Sequence, residues 1–354
     1  MTEPLRVLLV GAGMMGRAWL TAIAAAPEVE LAGVVDIDLD AARAAAPGVE
    51  VGTDLVELAA RTGAQAVVNV AVPAAHHPVT TQALFAGLPV LGEKPVAATV
   101  AEAMSLAAAA EVTGQLFMVS QSRRWNPQVF ALRGLISDLG AVGTLTTQFF
   151  KAPRFGGFRD RMANPLLIDM AIHAFDTARY LLDADPVAVY CEAFNPPWSW
   201  YDGAAAANAV FTMEGGARYA YNGSWCASGA ETSWNGDWRI SAEKGTALWD
   251  GEEPPTANGV PVRVPAGPNG IDATLAAFVE AIRTAERPMG EVHDNVMSLA
   301  MVEAAVWSAA TGTRVVLDEV LGDAHAAALR NEKHADVRAA LTAWDSPRAG
   351  LSTR

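Results

Sequence analysis

Lys94, in the tripeptide Glu93-Lys94-Pro95, and the pair Asp169 and His173, spaced D-x-x-x-H, are the residues whose types suit a coupled proton transfer. A hydride leaves a secondary alcohol carbon only as the hydroxyl proton leaves, so a general base must reach that oxygen. His173 is the best candidate, because an imidazole with an ordinary pKa of about 6.5 accepts and returns a proton near neutrality. Asp169 lies on the same predicted helix, where an i,i+4 spacing puts both side chains on one face. It can orient the ring or bond the substrate itself. Lys94 would stabilise a developing alkoxide and, in the reverse direction, polarise a carbonyl. Plainer readings exist for each: a D-x-x-x-H pair is more often a surface or capping interaction, and a lysine before a proline is commonly a solvated strand end. The surrounding elements reverse those odds.

Leu5 to Val10 is a short apolar run that reads as a buried strand. It ends at Gly11-Ala12-Gly13-Met14-Met15-Gly16, which satisfies G-x-G-x-x-G, and a helix follows from Met14 until Pro27 stops it. Gly11 makes the tight turn, Gly13 lets the backbone approach a pyrophosphate, and Gly16 allows helix to pack on strand. The helix N-terminus presents unpaired N–H groups and a positive dipole end to phosphate. A second strand, Leu31 to Val35, runs into Asp36 about 20 residues past the last glycine, where an acid bonds a ribose 2′-hydroxyl. Asp36 would repel a 2′-phosphate, so NAD is expected rather than NADP; Arg43, the nearest basic residue that could reverse this, falls within the next helix. The residues expected around the cofactor are Gly11, Gly13, Met14, Met15, Gly16, Asp36, Ile37, Val72, Pro73, His77, Glu93 and Lys94.

At 354 residues the chain suggests two domains, and 51% hydrophobic residues suffice for substantial cores. A formal net charge of −14 argues against nucleic acid or an anionic membrane as partner. Cys191 and Cys226 are too few for a disulfide framework and lack metal-ligand spacing, so no metal and a cytoplasmic location are expected. No signal segment or membrane span is read from the sequence.

Strand and helix alternate from residue 54, the pattern of a doubly wound parallel sheet. Predicted elements are a helix over 54–61, a strand over 66–71, a helix over 78–86 and a strand over 90–92 that delivers Lys94 to the sheet's ligand edge. Thr99 should cap the next helix, with Glu102 completing a capping box. Beyond Gln121 strands predominate, at 142–151, 187–194, 209–213, 217–225, 238–241 and 246–249, with helices at 126–138, 168–182, 271–286 and 295–310. The fold class is therefore α/β: an N-terminal Rossmann domain over 1–122, a C-terminal α/β domain with an open, largely antiparallel sheet over 123–335, and a tail over 336–354, frayed from Asp345 onward.

The glycine loop, Pro73 followed by His77, Glu93-Lys94-Pro95, Arg123-Arg124-Trp125-Asn126-Pro127 and Asp169-x-x-x-His173 together resemble the Gfo/Idh/MocA oxidoreductases. The resemblance implies NAD(P)-dependent oxidation or reduction at a sugar or polyol carbon, with Lys94, Asp169 and His173 as the catalytic group. It also implies homodimers or homotetramers packed through the C-terminal sheet. This chain departs from the family's glycine-rich approach to Asp169 with the stiffer, bulkier run Asn164-Pro165-Leu166-Leu167-Ile168. Alternatives are an NAD-dependent glycosidase of the same family and a non-catalytic nucleotide-binding sensor.

Substrate contacts are expected from Lys94, Arg123, Arg154, Asp169 and His173. Lys151, Arg154, Arg159 and Arg161 crowd one loop, with Asp160 the only acid among them, as an anion clamp or a solvated loop. Trp198, Trp200, Tyr201, Trp225, Trp234 and Trp238 fall in or beside the second sheet, where aromatics face a sugar or, more often, fill a core or interface. His77 is read as structural or a cofactor neighbour, His76 as solvated, and Asp176 as a supporting acid at most.

Overall fold

The computed structural model describes residues 3–352. The chain divides into two compact units, one comprising Met1–Ser122, Asn269–Val296 and Gly322–Arg354, the other Arg123–Pro268 and Met297–Leu321.

The first unit opens with β1 (Leu5–Val10), α1 (Met14–Ala25), β2 (Val29–Val35), α2 (Leu39–Ala45), β3 (Val51–Gly52) and α3 (Leu55–Thr62). It continues through β4 (Ala66–Asn69), α4 (Pro73–Phe85), β5 (Val90–Glu93), α5 (Val100–Thr113) and β6 (Phe117–Ser120). The six strands form one parallel sheet in the order β3-β2-β1-β4-β5-β6. That order reverses at β1 and β4, and ligands of such sheets bind beyond the strands' carboxyl ends at this switch point. Side chains close the helix starts: Asp38 accepts from the N–H groups of Asp40 and Ala41, and Asp54 from those of Val56 and Glu57. Thr99 accepts from Glu102 N, while Glu102 reaches back to Ala98 N, one residue short of the expected capping box. Helix α4 begins five residues before its predicted start and carries Pro78 inside it. Pro73 opens it at N1, where a missing N–H costs nothing.

The second unit holds α6 (Pro127–Leu139), β7 (Val142–Phe150), a π-helical turn (Leu166–Ala171) running directly into α7 (Ile172–Leu182), then β8 (Pro186–Phe194), β9 (Ala206–Met213) and β10 (Arg218–Ser224). Strands β11 (Asp237–Ala242), β12 (Gly245–Trp249), β13 (Thr256–Ala257) and β14 (Val260–Pro261) follow. Next in chain order are α8 (Gly270–Thr284), α9 (Val292–Thr311), β15 (Val315–Val316), α10 (Leu317–Asn331), α11 (Ala335–Ala343) and α12 (Pro347–Leu351). The sheet has nine strands in the order β14-β13-β12-β11-β7-β10-β9-β8-β15; it is antiparallel except for the β7–β10 pair. One face buries Phe149, Phe211, Tyr219, Tyr221 and Ile240 against Phe175 and its helical neighbours. The other leaves Tyr190, Val210 and Leu248 exposed.

Two expected boundaries change. The second domain was predicted as continuous over 123–335, yet residues 269–296 and 322 onward join the first unit. The reason lies at β6, the last strand of the parallel sheet: Val119 N donates to Gly290 O at 2.7 Å, so the incoming segment covers an edge that would otherwise carry unpaired backbone groups. The predicted tail over 336–354, frayed from Asp345, is instead helical at α11 and α12 through Leu351. Val337, Leu341, Trp344 and Leu351 are buried, and α11 packs on α5.

Candidate active site

In the first unit Gly11 has φ +104°, and a Cβ there would lie 2.8 Å from Val70 O. A Cβ on Gly16 would approach Gly11 O to 2.1 Å, so α1 sits as close to the loop as only glycine permits. Gly13 differs, because its Cβ would meet no protein atom within 4 Å. Its lack of a side chain therefore serves something other than the protein's own packing, as the approach of a pyrophosphate requires. Gly13 caps α1 without a side-chain bond, leaving the helix N-terminus for an anion. Asp36, at the end of β2, accepts from Ala12 N at 2.7 Å and from Asp38 N at 2.9 Å, which fixes its carboxylate beside the glycine loop. Arg43, the nearest cation weighed against the NAD preference, pairs with Asp40 on its own helix at 2.9 Å. Met14, Met15, Ile37 and Val72 are all exposed apolar residues, Ile37 at 98%, and all follow sheet strands at their carboxyl ends. These features fit NAD: the amides after Gly13 for the phosphates, Asp36 for the adenosine ribose.

Lys94 and Pro95 are joined by a cis peptide at the end of β5. Glu93, expected among the cofactor contacts, is 8% exposed and bonded to protein donors. Trp19 Nε1 donates to one of its oxygens at 2.9 Å and Lys94 N to the other at 3.1 Å. Burial pushes its carboxyl up from the usual range, opposed by the Trp19 bond and the Lys94 charge. Glu93 thus anchors the strand end that carries Lys94. His76 corrects the sequence reading outright, being 2% exposed rather than solvated. Its Nδ1 lies 2.7 Å from Pro95 O and its Nε2 3.0 Å from Ala71 O, tying the turn after β4 to the turn after β5. Burial holds its pKa below the ordinary imidazole value against the two carbonyls, with Lys94 adding to burial. His77 faces a cavity of about 870 Å³ lined by α3, α4, α5 and the α10–α11 turn, with Phe85, Glu102 and His334 among its walls. Burial lowers its pKa too, while Glu102 and Glu332 oppose the shift.

In the second unit Asp169 sits in the π turn and His173, buried, in the first turn of α7. The predicted single α-helix over 168–182 is therefore two geometries in one continuous run. A π turn closes i→i+5 rings and recurs at functional sites. Here it is held by core packing, since Leu166, Leu167, Met170 and Ala171 around Asp169 are all buried. Asp169 Oδ2 accepts from Arg159 Nε at 2.6 Å, so one cation of the basic loop has a definite target. Lys151 is taken by Glu231 at 3.0 Å. Arg154 lies over the Trp200 ring, 3.9 Å from its centroid. Arg123 donates to Trp234 O and, at 3.8 Å, to Met170 Sδ, beside the Asp169 turn; burial lowers its pKa to about 10. Asp176 has strong partners of its own. It is 1% exposed and takes Arg124 in a two-pronged bond, Nε at 2.7 Å and Nη2 at 2.8 Å, with Ser298 Oγ donating at 2.7 Å. Of the aromatics, Trp225 and Trp238 are core, whereas Trp198 and Trp234 are exposed.

Sequence reasoning missed His76 and the Arg159–Asp169 and Arg124–Asp176 pairs. His76 had one signal, adjacency to a helix start with a proline two residues on; the ion pairs had none, because partners 10 and 52 residues apart meet only in the fold.

The glycine loop, Asp36 and the parallel sheet define an NAD-binding Rossmann oxidoreductase domain, followed by a second α/β unit. A family model described as oxidoreductase family, NAD-binding Rossmann fold, matches residues 5–121, and one for the GFO/IDH/MocA C-terminal domain matches 133–248. The chain belongs to the Gfo/Idh/MocA oxidoreductase family. It is 33% identical to inositol 2-dehydrogenase 4 of Saccharopolyspora erythraea over 52% of this chain and 56% of that one. It is 27% identical to D-apiose dehydrogenase of Paraburkholderia graminis over 90% and 91% of the two chains. Among solved structures, an oxidoreductase from Agrobacterium radiobacter in complex with NAD+, L-tartaric acid and magnesium superposes with a TM-score of 0.80 at 20% identity, covering 90% of this chain and 99% of that one.

Proposed function

We propose that this chain is an NAD-dependent oxidoreductase acting at a secondary alcohol or ketone carbon of a sugar, inositol or related polyol, with Lys94, Asp169 and His173 as its catalytic group. The observation that carries the reading is the π turn running into α7, which presents a carboxylate and a buried imidazole four residues apart in a chain that also has an NAD-binding domain. Relatives named inositol 2-dehydrogenase and D-apiose dehydrogenase support the substrate class. NAD, when bound, supplies the hydride acceptor. His173 takes the hydroxyl proton and returns it in the reverse direction. Asp169 orients the imidazole or bonds a neighbouring hydroxyl, its own position set by Arg159. Lys94 stabilises the oxygen as negative charge develops, held at the strand end by Glu93 below and His76 beside the following proline.

The test follows NADH absorbance across sugars, inositols and aldonates, then repeats the best substrate with Lys94→Ala and His173→Ala. Each variant is expected to lose roughly 100-fold or more in kcat/KM, within the range for a positioned acid–base group. Wild-type kcat/KM in both would remove these residues from the chemistry. Net production of NADH also separates this reading from a glycosidase that keeps its cofactor bound, and from a sensor without turnover.

The exposed sheet face supports self-association. Tyr190 pairs with Val210 across β8 and β9, and Leu248 lies further along the same face, an apolar surface suited to a second copy of this chain in a dimer or tetramer. Cys191 and Cys226, free and buried, suit the reducing cytoplasm proposed as its location.

A further inference from the structure

We propose that the substrate carries a carboxylate, and that Arg159 and Arg154 hold it; the inference rests on the redox reading above and names the substrate class as sugar acids. Four observations within the second unit lead there. Arg159 bonds Asp169 through Nε alone, so its Nη1 and Nη2 groups have no hydrogen-bond partner among the described residues. The guanidinium is nonetheless fixed in place, 4.8 Å from the Phe158 ring centroid and 5.3 Å from that of Phe155, with a side chain only 23% exposed. A partly buried, preoriented pair of N–H donors is the geometry that receives a carboxylate in two parallel bonds. Arg154, five residues earlier, is likewise immobilised on a ring, at Trp200, and bonds no acceptor among the described residues.

The charges around the loop leave this cationic character in place. Lys151 is neutralised by Glu231. Asp160 is the loop's single acid, and no ion pair joins it to Arg154 or Arg161 among the described residues; its charge adds to burial in raising the Tyr201 hydroxyl pKa to about 12. Arg154 and Arg161 have no ion-pair partner among the described residues, within a chain of net charge −14. An anionic substrate approaching such a protein needs a local positive field, whereas a neutral polyol gains nothing from one. The position matters as much as the sign. Arg159 touches Asp169, assigned here to the reaction, so a carboxylate on its distal nitrogens would be one end of a molecule whose hydroxyl reaches that acid.

Calorimetric titration of the NAD-bound protein with D-gluconate, D-galactonate and D-glucuronate, against D-glucose, myo-inositol and D-glucose 6-phosphate, tests the proposal. At least one acid should bind roughly 10- to 100-fold more tightly than its neutral counterpart, the range of a charge-assisted bond, and weaken as KCl rises. Arg159→Lys keeps the charge but loses the fork, and Arg154→Gln lies off Asp169; each should cut that acid-to-neutral ratio about tenfold. Equal or weaker binding of the acids, a ratio that survives both substitutions, or tighter binding of the sugar phosphate overturns the proposal. NADH formation is scored separately. Acid binding that depends on both arginines without NADH leaves the carboxylate subsite standing and removes the redox reading. NADH from neutral polyols with no preference for acids does the reverse.

Discussion

Replacing Asp176 separates the acid proposed for the chemistry, Asp169, from the acid that holds the fold. Asp169, His173 and Asp176 fall in one string, yet Asp176 is 1% exposed and its Arg124 partner 5%. Both carboxylate oxygens are engaged, by two guanidinium nitrogens at 2.7 and 2.8 Å and by Ser298 Oγ, which itself accepts from Arg179 Nη1 at 2.9 Å. Asp176→Ala leaves a buried guanidinium without its counter-charge, a change that costs about 3–5 kcal/mol. At about 2–4 °C per kcal/mol for a unit of this size, the thermal midpoint should fall by roughly 6–20 °C. Asp176→Asn keeps the shape and a carbonyl acceptor, so its loss should be smaller but of the same sign. Differential scanning calorimetry of both variants, alongside kcat/KM measured 20 °C below each midpoint, checks the argument. Large loss of kcat/KM in Asp176→Asn with an unchanged midpoint would refute it, since that pattern belongs to a group acting on substrate.

The glycine loop yields a paired expectation. Gly13→Ala meets no protein atom and should keep the wild-type midpoint while NAD affinity, read by fluorescence titration, drops at least about tenfold; Gly16→Ala drives its Cβ into Gly11 O and should lose stability by about 1–3 kcal/mol as well. Asp36→Ser should reduce the NAD-to-NADP affinity ratio by roughly tenfold or more, because the carboxylate that repels a 2′-phosphate is gone. In the first unit, His293 lies between Glu291 at 2.7 Å and Glu111 at 2.9 Å; burial works against its charge, yet the two carboxylates prevail and raise its pKa. The stabilisation is therefore complete below the unfolded value of about 6.5 and disappears as pH rises through the folded one. Thermal midpoints of His293→Gln should match wild type at high pH and fall below it at mildly acid pH; a constant offset across pH 5 to 9 would remove the titration from the explanation.

Periodicity and spacing made the first sheet legible, because a buried parallel strand is a short apolar run bounded by turns and a phosphate loop needs glycine at set intervals. Leu5 to Val10, the three glycines and Asp36 all occupy the places those rules assign. Lys94 could be put at a strand end for the same reason. The D-x-x-x-H pair was legible as a pair, but the π turn under Asp169 was not, since it arises from how Leu166, Leu167, Met170 and Ala171 pack rather than from their pattern along the chain.

The sequence by itself determined the cofactor loop, the acid at the end of β2, the change from alternating to strand-rich texture near residue 122, and the residue types available for proton transfer. Local rules suffice for these, as each depends on neighbours a few positions away. Tertiary structure alone decided that residues 269–296 and 322 onward join the first unit, that His76 is buried between two carbonyls, that Arg159 meets Asp169 while Arg124 takes Asp176, and that the apparent tail is helical. Each of those outcomes is set by burial and by partners distant in sequence, where the cost of an unpaired buried charge or an uncovered sheet edge selects among arrangements that look alike along the chain.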